Sequence, residues 1–140
     1  MAQGEAEALV VHCSAARYQQ HFEEFLTEGL GLTRYSVIAV PGGAQAMTLT
    51  DYLPKFAWAG WRWAKFLVDA DQPPRIILLG HEQCRWYKDL RFWDTRRPLK
   101  ERILGDLERT RESILERFPK TRVDLYYARL DGGRVVFDLV

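Results

Sequence analysis

No stretch of the chain approaches the roughly twenty apolar residues of a membrane-spanning helix. Charge of one sign is also missing: 20 Lys and Arg face 19 Asp and Glu, for a formal net charge of +1. The arginines are interleaved with acids and form no basic block, which argues against nucleic acid or an anionic membrane as partner. Cysteine is scarce, with two in 140 residues, whereas a disulfide-stapled secreted domain would carry more. Met1 to Glu7 is polar and acidic and does not read as a signal peptide. Repeats, low-complexity tracts and linkers are absent. The expectation is one domain over residues 1–140, reduced and cytoplasmic.

What is present is core-forming material, 47% of the residues being hydrophobic. Ala8 to Cys13, Tyr35 to Val40 and Arg75 to Gly80 are short apolar runs that read as buried strands. Between them, Tyr18 to Gly29 places Phe22, Phe25 and Leu26 on one helical face, and Asp51 to Ala70 reads as a helix carrying Phe56, Trp63, Phe66 and Leu67. Pro98 to Phe118 is an amphipathic helix through Ile103, Leu107 and Ile114, ended by Pro119. Val123 to Leu130 and Arg134 to Val140 form a hairpin across Asp131-Gly132-Gly133. The order βαβαβαββ predicts an α/β fold: a mostly parallel sheet with helices on both faces and an antiparallel C-terminal edge strand.

Ligand sites in such sheets lie at the carboxyl ends of the strands. Cys13 ends the first strand, Gly42 and Gly43 follow the second, and His81 and Cys84 follow the third. Zinc favours thiolate and imidazole ligands in tetrahedral array, and three protein ligands leave a fourth position open. Cys13, His81 and Cys84 are therefore the candidate metal ligands. Two readings stand beside this one. Both cysteines could be small buried hydrophobes with His81 capping a helix, or the thiols could form a reactive pair without metal. Pro41-Gly42-Gly43-Ala44 lacks the glycines and lysine of a nucleotide loop.

These segments resemble the β-class carbonic anhydrases. Val10-Val11-His12-Cys13-Ser14-Ala15-Ala16-Arg17-Tyr18 is similar to the Cys-x-Asp-x-Arg motif of that family, and Ile76 to Cys84 to its apolar strand followed by Gly-His-x-x-Cys. Ser36 to Ala44 resembles the strand and glycine loop between them. The resemblance implies a bound Zn2+ held by Cys13, His81 and Cys84. It also implies hydration of carbon dioxide to bicarbonate by hydroxide available at the metal near neutral pH, and a homodimer. Trp58, Trp61 and Trp63 cannot share one helix face, and Trp86 and Trp93 flank a mixed-charge stretch, so a Trp- and Arg-rich subunit interface is expected.

The chain departs from the motif at one telling place. The family's Asp, which accepts a hydrogen bond from the metal-bound water or closes the metal, is Ala15 here, while its Arg partner is kept as Arg17. Alanine can do neither. Arg17 is then expected to hold an anion or another carboxylate, with the backbone at Gly42 and Gly43 approaching the same anion. Arg85 stands where glycine is usual. His12 should point to the opposite face from Cys13, and Gln45 or Glu82 could hydrogen-bond a water at the metal. Tyr18 reads as packing. The functions left open are a zinc-dependent lyase, a hydrolase of a related small molecule such as carbonyl sulfide, and a non-catalytic zinc domain.

Overall fold

The computed structural model describes residues 5–48, 54–89 and 96–140. Strand β1 (Ala8–His12) leads through a 3-10 turn into α1 (Gln19–Glu24), which runs on as a π-helical turn to Gly29. Strand β2 (Tyr35–Ala39), a 3-10 stretch (Gly43–Thr48) and α2 (Pro54–Asp71) follow. Strand β3 (Arg75–His81), the short α3 (Arg85–Asp89), α4 (Leu99–Arg117), β4 (Arg122–Asp131) and β5 (Arg134–Leu139) complete the described chain. The expected start of the second helix at residues 51–53 and Trp93 lie outside the described residues, as does the side chain of Phe56.

The sheet has the order β2-β1-β3-β4-β5. Every neighbouring pair is parallel except β4 with β5. The α/β architecture read from the alternation of segments is therefore the observed one. Alternate residues of the central strands feed two cores. Leu9, Val11, Ile76, Leu78 and Leu125 pack under α2 and α4 on one face. Val10, Ile77, Leu79 and Ala128 pack under α1, through Tyr18, Phe22 and Leu26, on the other. Strands buried on both faces need no polar alternation, which is why they read as continuous apolar runs. Each fully buried Leu or Ile contributes roughly 1.5–3 kcal/mol.

The strand order creates the site. After β1 the chain passes over one face into α1; after β3 it passes over the other into α3 and α4. The connections leave neighbouring strands in opposite directions, so a crevice opens at the carboxyl ends of β1 and β3.

The tryptophans of α2 diverge as their spacing requires. Trp61 is buried and donates to the Met47 carbonyl at 3.1 Å, while Trp58 is 70% exposed, Trp63 48% and Phe66 60%. Among the described residues no helix is long and apolar enough to cross a membrane.

Entry into β1 and β2 is clamped by Glu7, whose carboxylate accepts from the Thr33 and Arg34 N–H groups at 2.7 and 3.1 Å. Those two backbone donors, Arg34 first, lower its pKa. A carboxyl with a depressed folded-state pKa stabilises the fold above its unfolded pKa and ceases to do so as pH falls through the folded value. Glu7→Gln is therefore expected to lower the thermal midpoint at pH 7, with the gap from the parent protein closing as the pH falls through the carboxylate range. Paired melting curves check it.

Candidate metal centre

Cys13 is the residue after β1, His81 the last of β3, and Cys84 the residue before α3. All three are buried. Their ligand atoms lie within 4.8 Å of one another. The reversal between His81 and Cys84 depends on Gln83, a non-glycine residue at φ +56°, a conformation that costs roughly 1–2 kcal/mol. It returns the chain so that both side chains face one point.

The donor chemistry fits a divalent metal. His81 Nδ1–H donates to the Glu82 carbonyl at 2.9 Å, which sets the tautomer and leaves Nε2 as a lone-pair donor. That Nε2 is buried and has no hydrogen-bond partner. An orphaned buried nitrogen is costly unless something occupies it. The two sulfurs stand 3.9 Å apart, close to the edge of about 3.8 Å that follows from Zn–S bonds of about 2.3 Å at a tetrahedral angle. The set suits zinc.

The sulfurs sit in an N–H-rich setting. Gly42 N–H points at Cys13 Sγ at 3.4 Å, and the Trp86 and Tyr87 N–H groups of the first turn of α3 face Cys84. The Cys84 thiol shares its hydrogen bond with Cys13, and this contact is the largest cause that lowers the Cys13 pKa; His81 adds to it. The same contact and burial push Cys84 up. The first proton thus leaves easily and the second resists unless a cation offsets the charge.

The surrounding residues sort clearly. A cavity of about 300 Å³ opens beside the ligands, lined among others by Ala15, Arg17, Gln83, Arg85 and Trp86. Arg17 donates to the Gln83 carbonyl at 3.3 Å and lies over the Tyr18 ring. Tyr18 packs on the His81 imidazole with ring centroids 4.4 Å apart, so its packing role includes a candidate ligand. His12 turns to the opposite face, against Phe22, and its Nδ1 lies 2.8 Å from the Cys13 carbonyl.

Three expected roles meet other partners. Gln45 is buried and accepts from Trp86 Nε1–H at 2.5 Å. Glu82 accepts from the Leu130 N–H at 2.5 Å. Neither carboxamide nor carboxylate lines the cavity. The N–H of Gly43 closes a turn onto the Val40 carbonyl at 2.8 Å, and that of Gly42 serves the sulfur. The glycines are needed for space: Gly42 and Gly43 have φ of +79° and +59°, and a Cβ on Gly42 would sit 2.3 Å from the Trp86 indole. Trp86, Tyr87 and Asp106 were not legible as site residues; the only sequence signal was the place of Trp86 and Tyr87 just after Cys84.

No family model matches the chain, and no curated protein matches it in sequence. Solved structures do match. The chain is similar to β-carbonic anhydrase isoform I of Trichomonas vaginalis, with a TM-score of 0.54, 14% identity, and coverage of 98% of this chain and 84% of that one. For the carbonic anhydrase of Streptococcus mutans the values are 0.52, 12%, 96% and 82%. For one of two tetrameric β-carbonic anhydrases of Sordaria macrospora they are 0.51, 20%, 96% and 81%. The chain therefore has the β-carbonic anhydrase fold.

Gly42→Ala is expected to push the Trp86 indole and the glycine loop apart and to weaken cobalt(II) binding by about tenfold or more, as measured by titration of the cobalt absorption bands.

Proposed function

We propose that this protein is a zinc-dependent β-carbonic-anhydrase-like lyase that hydrates carbon dioxide to bicarbonate. The observation that carries the reading is the convergence of two thiols and an imidazole with a lone-pair nitrogen left vacant, at the strand-end crevice of this fold. Cys13, His81 and Cys84 would hold the metal, which supplies Lewis acidity to ionise water near neutral pH. Two thiolates weaken that acidity by donating electron density. The N–H groups of Gly42, Trp86 and Tyr87 draw some of it back. Arg17 and Arg85 bring two guanidinium groups to the mouth of the cavity, and among the described residues no carboxylate lines it. That charge attracts an anion such as bicarbonate.

Ala15 favours a second reading, a zinc domain without catalysis, because nothing at that position accepts a hydrogen bond from a water at the metal. The two readings share the metal and differ in turnover. The purified protein is expected to carry one zinc per chain by elemental analysis, lost in His81→Ala and in Cys84→Ser. Stopped-flow hydration by the zinc-loaded protein should exceed buffer at neutral to alkaline pH. Hydration seen only in Ala15→Asp would favour the non-catalytic reading, and absence of zinc from all preparations would end both.

The reading includes a homodimer. Strand β2 is a sheet edge, and a row of apolar side chains (Val37, Trp63 and Phe66) stands exposed beside it. A long apolar edge left open invites pairing with another chain. Sedimentation should give a dimer, and Val37→Lys combined with Phe66→Glu should give a monomer that keeps its zinc.

A further inference from the structure

Helix α4 presents two polar residues to the core among Ile103, Leu107 and Ile114. Asp106 and Thr110 lie one turn apart, and both are buried. The chemistry above uses neither. A buried carboxylate and hydroxyl are costly unless fully hydrogen-bonded, and here they are. Tyr87 OH donates to Asp106 Oδ2 at 2.6 Å, and the other carboxylate oxygen takes the guanidinium of Arg109. The single Thr110 hydroxyl proton is shared between the Asp106 carbonyl at 2.8 Å and the Ala44 carbonyl at 3.3 Å.

The partners matter more than the residues. Tyr87 stands three positions after Cys84, and its own N–H faces that sulfur. Its helix, α3, is five residues long, too short to hold its direction by internal hydrogen bonds. Ala44 stands two positions after Gly42, whose N–H faces the sulfur of Cys13. One turn of α4 is thus tied to both backbone segments whose N–H groups meet the thiols.

We propose that Tyr87, Asp106 and Thr110 form a buried brace that positions the two sulfur donors of the metal centre. The inference rests on the metal centre proposed above. These are positioning residues, acting through α3 and the glycine loop. A wholly apolar contact would fill the same space but would let α3 slide; directed bonds at two points hold both segments at set distances from α4.

The test uses zinc affinity, measured by competition with a chromophoric chelator, and the sulfur-to-metal charge-transfer band of the cobalt(II) protein. Tyr87→Phe is expected to weaken zinc binding by roughly 10–100-fold and to shift the cobalt band. Thr110→Val should move both in the same direction. Asp106→Asn keeps an acceptor for the tyrosine and should stay near the parent values, whereas Asp106→Leu should resemble Tyr87→Phe. Ile77→Val, in the opposite core layer, should lower the unfolding midpoint and leave both metal readouts unchanged.

A merely structural role predicts lower midpoints with unaltered affinity and spectrum. Affinities for Tyr87→Phe and Thr110→Val within twofold of the parent, with unshifted bands, would overturn the brace while leaving the metal centre standing. Should Tyr87→Phe not fold, the same outcome for Thr110→Val alone overturns it. A parent protein that binds no zinc overturns the metal centre and the brace together.

Discussion

Two sulfur atoms 3.9 Å apart, buried at the end of a parallel sheet, are the constraint around which this molecule is arranged. Both can be ionised together only if positive charge or hydrogen-bond donors surround them. The fold supplies those donors from separate segments: Gly42 from the loop after β2, and the first turn of α3 after β3. An imidazole with its proton tied to the Glu82 carbonyl stands beside them and offers a lone pair. A divalent cation is the species that this arrangement of donors fits.

The strand order makes the convergence possible. Because β1 lies between β2 and β3, the loop after β1 and the loop after β3 leave toward opposite faces of the sheet. The gap between them admits side chains from both. Packing on each face then sets the depth of the crevice: Tyr18 against the His81 ring on one side, and Trp86 over the glycine loop on the other. Ala15 brings no polar side chain to the cavity, and Arg17 and Arg85 line it.

Much of this was legible in the chain. Continuous apolar runs such as Ile76–Leu79 marked strands buried on both faces, and their alternation with helices marked the parallel sheet. Cys13, His81 and Cys84 stand out because they lie at or just after strand ends, which share one edge of such a sheet, and because they match the motifs that the sequence resembles. Nearness in sequence made Glu82 and Gln45 candidates to hydrogen-bond a water at the metal, but it says little about direction. Glu82 turns toward the β4–β5 hairpin to bond Leu130, and Gln45 turns inward to Trp86. The extent of the short helix α3 was not legible, since five residues are too few for a helical period to register.

Local pattern thus determined the order of the main elements and the edge of the sheet at which Cys13, His81 and Cys84 converge. These follow from side-chain chemistry and from the two periods of secondary structure, which the order of residues carries directly. The tie between Tyr87 and Asp106, the hydroxyl of Thr110 under Ala44 and the N–H of Gly42 beside Cys13 depend on how layers stack. Such contacts join residues 19 to 66 positions apart. Their geometry is set by helix-to-sheet packing, and no spacing along the chain encodes it.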